Sequence, residues 1–140
     1  MDRKQVSALV LLDLSKAFDS IDHMSLLKKL RAMGTCKEAI EWFGSYLTGR
    51  KQLVRIGCET SEPRLVSYGV PQGSILDPVL FNIYINDLSS VPNVGSVECC
   101  VDDSQLYISF PVRDPTLAAD QQTEDLRNIA AWCCKKSLLI

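Results

Sequence analysis

The sequence contains no apolar run long enough to cross a bilayer, which takes about 20 predominantly apolar residues in a row. Its opening, MDRKQVSALVLLDL, sets charges before apolar residues. An acid closes that run and no small-residue cleavage site follows, so it reads as a strand and not as a signal peptide. An excess of basic charge is also missing: 15 Lys and Arg face 17 Asp and Glu, for a net charge of −2. A free-standing nucleic-acid binder is ordinarily strongly basic. Any polyanion held here therefore needs metal ions or a basic partner segment. Histidine occurs once, as His23 at a helix start, with no sign of a base role. None of the six cysteines has C-x-x-C spacing, which argues against a zinc or redox site of that type. Reduced, buried thiols acting as small hydrophobes are the expectation, and they fit an intracellular protein. Internal repeats and low-complexity tracts are absent.

What remains is a chain of 140 residues, 46% of them hydrophobic, which makes disorder a poor reading. That length is one domain's worth and buries roughly 68–70% of its unfolded surface. Val6 to Leu12 is a continuous apolar run ending in Asp13, the pattern of a buried strand with an acid at its C-terminal end. Asp22 stands as N-cap to HMSLLKKLRAM, with Leu26, Leu27, Leu30 and Met33 as the apolar face and Gly34 as the stop. A second helix runs from about Lys37 to Leu47, with Ile40, Phe43, Tyr46 and Leu47 inward. RKQLVRIG and RLVSYG read as two short strands. VPQGS is a loop. DPVLFNIYINDL is a helix with Asp77 and Pro78 as a capping pair. Val97–Val101 and Gln105–Phe110 form a hairpin, and TLAADQQTEDLRNIAAWCCKK an amphipathic helix through Leu117, Leu126, Ile129, Ala130 and Cys133. SLLI starts a further strand. Strands mixed with helices that pack on one face of a largely antiparallel sheet make an α+β layout.

The hairpin carries CCVDDSQLY, two adjacent carboxylates in a strand-like setting. Asp is a common turn residue, so an ordinary turn is one explanation. A divalent cation is the other. If the Asp13 strand lies beside the hairpin, three carboxylates converge, and they persist cheaply only when hard cations neutralise them. Spacing alone favours the turn.

Three longer stretches, LLDLSKAFDSIDH, GVPQGSILDPVLFNIYINDL and VDDSQLYISF, resemble successive motifs of the reverse transcriptases of non-LTR (LINE-type) retrotransposons, in order and spacing. The linking WFGSYLTGRKQLVRIG and DLRNIAAW resemble the family too, so the likeness covers nearly the whole chain. It implies a polymerase palm, an α+β fold with a ferredoxin-like antiparallel sheet and helices on one face. The activity implied is RNA-directed DNA polymerisation: nucleotidyl transfer from deoxynucleoside triphosphates to a DNA primer on an RNA template, with no membrane partner. By the same resemblance Asp13, Asp102 and Asp103 are catalytic and hold two Mg²⁺, or Mn²⁺ in their place. Lys16 and Ala17 lie along the triphosphate, Phe18 is the steric gate against a 2′-hydroxyl, and Gln72 and Gly73 contact the nucleotide. Family analogy also places the protein inside the cell, nuclear or cytoplasmic.

Three features depart from the family. Cys100 stands where an aromatic residue usually precedes x-Asp-Asp, Asp77 stands where Gly is usual, and the chain is expected to be a palm piece over residues 1–140, lacking fingers upstream and thumb downstream. A fragment of that kind is expected to be inactive alone. The alternative is a degenerate or repurposed palm serving as a non-catalytic interaction or RNA-binding module. Trp42 and Trp132 read as packing residues, and Arg50 and Lys51 as hairpin surface in preference to phosphate contacts.

Overall fold

A computed structural model describes residues 5–101, 103–113 and 115–140. The chain divides into two compact units, Met1–Ala17 with Ile85–Ile140, and Phe18–Tyr84. The whole is α+β, with strands paired antiparallel.

In the first unit β1 (Gln5–Asp13), β6 (Ser96–Cys100) and β7 (Asp103–Pro111) form a three-stranded sheet in the order β1-β7-β6. β1 and β7 pair over nine residues, from Gln5 opposite Pro111 to Asp13 opposite Asp103. Directly opposite residues share a face. The covered face therefore holds Leu12, Leu106, Ile108 and Val97, all buried. The other face is open: Leu9 is 57% and Leu11 72% exposed. β1 was expected to be buried on both sides and is not. It is an edge strand of a sheet with one covered face, so its apolar run is half solvated. β7, by contrast, alternates cleanly between exposed and buried.

Helix α4 (Pro115–Lys135) buries Ala118, Asp125, Ile129 and Cys133. Leu117 and Ala130, expected inward, are exposed, because the buried stripe runs one residue away. Asp125 is the informative member. Its carboxylate accepts the backbone N–H groups of Asn93 (2.6 Å), Val94 (3.2 Å) and Gly95 (2.7 Å), which lead into β6. A Cβ on Gly95 would sit 2.8 Å from Leu106 Cδ1 and 3.1 Å from Asp125 Oδ2, so only glycine lets the loop close on the acid. After α4, the Ser15 N–H donates to the Leu139 carbonyl at 2.8 Å, an isolated antiparallel bridge where SLLI was expected to start a strand.

The second unit contains α1 (His23–Ala32) and α2 (Lys37–Leu47). Asp22 caps α1 as expected, accepting the Ser25 N–H at 2.8 Å. Its buried stripe is His23, Leu26 and Leu30, and Met33 is exposed instead. The two expected strands after α2 are four of two residues each: β2 (Lys51–Gln52), β3 (Arg55–Ile56), β4 (Glu59–Thr60) and β5 (Arg64–Leu65). They pair as two small ribbons, β2-β5 and β3-β4. Helix α3 (Asp77–Ile85) has an apolar interior: Leu80, Phe81, Tyr84 and Ile85 are at most 1% exposed.

The cysteines overturn one expectation. All six are free thiols, but only Cys133 is buried; Cys36, Cys58, Cys99, Cys100 and Cys134 are exposed. Burial, with Cys134 beside it, pushes the Cys133 thiol up to about 11.

Two outcomes follow for stability. Asp125→Ala leaves buried amide donors without an acceptor and is expected to cost about 1–3 kcal/mol in urea denaturation. A loss under about 0.5 kcal/mol, as at an ordinary surface site, contradicts that role. The hydrogen bonds from Ser25 hold the Asp22 carboxyl below its usual range. A lowered acid stabilises the fold above its unfolded pKa and loses that contribution as pH falls through the folded value. Asp22→Ala is thus expected to cost about 1 kcal/mol at neutral pH, and the gap should close below about pH 4. A gap that persists unchanged at low pH contradicts the assignment.

Candidate active site

The acids sit where the sheet register puts them. Asp13 ends β1 directly opposite Asp103, and Asp103 lies directly opposite Cys100 on β6. One rung across the open face therefore reads Asp13, Asp103, Cys100, all three exposed. Directly opposite Cβ atoms in such ladders are about 4.5–5.5 Å apart, and like charges placed so are destabilising. The covered face enforces this placement. Slipping β1 by one residue would turn Leu12 into solvent, and slipping β7 would do the same to Leu106 and Ile108.

β6 ends at Cys100 and β7 begins at Asp103, and the two strands pair antiparallel. Asp102 lies outside the described residues. Val101 has φ +59°, the left-handed region that two-residue hairpin turns demand at their first position. A β-branched side chain there is a true outlier and costs on the order of 1–3 kcal/mol. Such strain persists only where the flanking strands over-determine the turn. Asp13 and Asp103 offer hard oxygen donors, the type that Mg²⁺ and Mn²⁺ prefer. Among the described residues no group of three or more His, Cys, Asp or Glu is placed to hold a metal ion.

The remaining predicted residues fall in two places. Beyond β1, Lys16 is exposed with φ +54° and Ala17 is buried, so the chain turns sharply out of the strand. In the other unit, Phe18 opens a single 3-10 turn (Phe18–Ser20), and its half-buried ring packs on Phe81, centroids 5.2 Å apart. Val70 N–H donates to the Phe18 carbonyl at 3.0 Å, and Gly69 N–H to the Ile21 carbonyl at 2.8 Å. The buried His23 closes the same junction. Its Nε2 lies 2.7 Å from the Gly69 carbonyl, an acceptor, so that nitrogen carries the proton. Gly69, φ +84°, could carry no Cβ, because Phe18 O would lie 2.8 Å away. The loop bearing Gln72 and Gly73 is thereby tied to the segment bearing Phe18. Gln72 and Gly73 are themselves exposed.

Asp77 does something other than cap. It is the first residue of α3, is 6% exposed, and accepts the Gly73 N–H at 2.6 Å. The acid that departs from the family pattern is thus folded inward as a brace for the P-Q-G turn. Trp42, read as a packing residue, does pack, stacked on Tyr46 and edge-on to Phe43, yet is 52% exposed. The i,i+4 spacing of Trp42 and Tyr46 on α2 was the available signal for that stack.

Asp13 and Asp103 thus face each other across β1 and β7, next to the strained Val101. Residues 1–138 match the family Reverse transcriptase (RNA-dependent DNA polymerase), and the chain belongs to that family. It is 31% identical over 142 residues to the probable RNA-directed DNA polymerase from transposon BS of Drosophila melanogaster, covering 94% of this chain and 15% of that protein. A Pol polyprotein from the type-1 retrotransposable element R2 of Popillia japonica is 29% identical over 126 residues, covering 90% and 21%. The RNA-directed DNA polymerase from mobile element jockey of Drosophila funebris is 33% identical over 111 residues, covering 79% and 12%. The resemblance to non-LTR reverse transcriptases read from the motifs holds. The chain spans between an eighth and about a fifth of the length of these relatives.

Replacing Val101 by glycine is expected to relieve the turn. Gly pays an entropic penalty of about 0.5–1 kcal/mol, less than the strain removed, so Val101→Gly should raise stability by up to about 1 kcal/mol in thermal or urea unfolding. A destabilised variant would show that Val101 is not strained.

Proposed function

We propose that this chain is a reverse transcriptase palm, with the ferredoxin-like sheet of that fold, whose parent protein carries out RNA-templated DNA synthesis. The observation that carries the reading is the Asp13–Asp103 pairing, on a chain matched to the family over residues 1–138. Asp13, Asp102 and Asp103 would hold two divalent cations, Mg²⁺ or Mn²⁺. Bound there, such ions supply Lewis acidity to a phosphoryl centre and to the attacking and leaving oxygens.

The chain's own residues then orient the substrates. Lys16 and Ala17, at the turn after β1, offer backbone N–H groups to the triphosphate of a deoxynucleoside triphosphate. The Phe18 ring, propped on Phe81, blocks a 2′-hydroxyl. Gln72 and Gly73 meet the incoming nucleotide on a turn that Asp77 braces from behind. RNA template and DNA primer are the proposed macromolecular partners. Six free thiols fit the reducing interior of a cell, nuclear or cytoplasmic.

One observation favours the second reading, a palm retained as a non-catalytic interaction or RNA-binding module. Cys100 stands beside Asp103 in the rung where the resembled family has an aromatic ring. The two readings part at the metal. On the first, Mn²⁺ binds on the order of millimolar, broadens NMR signals of residues 13 and 103 first, and loses the effect in Asp13→Ala and Asp102→Ala. The isolated chain extends no primer on either reading, because polymerisation is mostly positioning. Broadening spread evenly over other acids, or unchanged in both variants, removes the first reading.

A further inference from the structure

The Phe18–Tyr84 unit carries a second surface, which meets the proposed nucleotide site only at Gln72. Trp42 and Tyr46, one turn apart on α2, are stacked with nearly parallel rings, 9° between ring planes and centroids 5.3 Å apart. The Arg50 guanidinium lies over the Tyr46 ring at 5.9 Å, so indole, phenol and guanidinium form one ladder. The ladder is held in place: Trp42 meets Phe43 edge-on at 5.1 Å, and the Tyr46 hydroxyl donates to Ser74 Oγ at 3.0 Å. Yet Trp42 remains 52% exposed, an indole face braced from behind and open to solvent.

Beyond Arg50 the ladder opens into a cleft of about 250 Å³ that Arg50, Lys51, Tyr68, Gln72 and Asp19 line. A neighbouring cavity of about 390 Å³ shares Asp19 and Tyr68 and adds Arg64. Tyr68 is itself 57% exposed. Charge is distributed accordingly. Between Thr48 and Gln72 the basic residues are Arg50, Lys51, Arg55 and Arg64 and the acids only Glu59 and Glu62, on a chain whose net charge is −2. Arg50, Lys51 and Arg64 thus stand near the exposed faces of Trp42 and Tyr68, with Glu38 and Glu41 on the helix that bears Trp42; basic groups beside aromatic faces are the pattern that stacks bases and neutralises a phosphate backbone.

We infer that the Trp42–Tyr46–Arg50 ladder and the adjoining Arg50–Lys51–Tyr68 cleft form a binding track for single-stranded RNA. A base stacks on the open face of Trp42, Arg50 and Lys51 receive phosphates, and Tyr68 offers a second stacking face. Asp19 repels phosphate and keeps the backbone on the Arg50 side of the cleft. A duplex fits poorly, because its base faces are already stacked on one another. The choice of RNA as the polymer rests on the reverse transcriptase reading, whereas the ladder and cleft stand on this unit's own geometry.

The test uses the 140-residue chain with EDTA present, so that the carboxylate site plays no part. Labelled oligouridine of about 12 nucleotides is titrated by fluorescence anisotropy at low salt, and tryptophan quenching is followed in a Trp132→Phe background. Binding that quenches Trp42 is expected. Trp42→Ala should weaken it about ten-fold, as one lost stacked base does, and Trp42→Phe should restore most of the loss. Arg50→Ala should weaken binding and lower the salt slope by about one. Circular dichroism melts confirm that each variant is folded, and a merely structural tryptophan would change melting without this pattern of rescue. No binding, binding without Trp42 quenching, affinity unchanged in both variants, or equal affinity for an RNA duplex overturns the inference. Failure here leaves the Mn²⁺ experiment untouched, and failure of the Mn²⁺ experiment leaves this one so.

Discussion

The nine-residue antiparallel register between β1 and β7 is the constraint from which the candidate active site follows. Its energy comes from one side of the sheet, where Leu12, Leu106, Ile108 and Val97 are buried. Fully burying side chains of this kind contributes about 1.5–3 kcal/mol each. That is more than the fraction of a kcal/mol to about 1 kcal/mol that an unfavourable cross-strand pair takes back. The covered face therefore dictates that Asp13 meets Asp103 on the other side, whatever the two charges prefer. The arrangement is tolerable on an exposed face, where water screens the charges.

Polar groups placed inside the protein do comparable work elsewhere. Asp125 gathers three amides at the entrance to β6 and so fixes where that strand begins. His23 donates to Gly69 and holds the P-Q-G loop against the Phe18 segment. Asp77 accepts from Gly73 within that loop. Each of these side chains fixes a loop through hydrogen bonds to its backbone.

The hairpin and the strand ending in Asp13 were legible in the sequence because alternation and turn chemistry are local. Asp22 was legible for the same reason: a cap acts within three residues. Asp125 was not. An acid in the middle of a helical pattern looks solvated, and its partners lie about 30 residues upstream. The exposure of Leu9 and Leu11 was hidden because a continuous apolar run does not say which strand will be at the sheet edge. The exposed cysteines were missed because thiols, though usually buried, carry no periodic signal of their own. Asp77 was half legible: its place at the start of α3 was plain, but its bond to Gly73 depends on how the turn before it folds. The roles of Lys16, Phe18 and Gln72 came from motif resemblance, since nothing in their spacing distinguishes a substrate contact from a surface or packing residue.

The central claim is the pairing of Asp13 with Asp103, and it is tested most directly by cross-strand nuclear Overhauser effects in the isotopically labelled chain. The account predicts backbone contacts between residues 13 and 103, repeated in steps of two along the ladder through residues 11 and 105 to residues 9 and 107. Contacts that place Leu12 opposite Asp103, or that show no pairing between these strands, would contradict it.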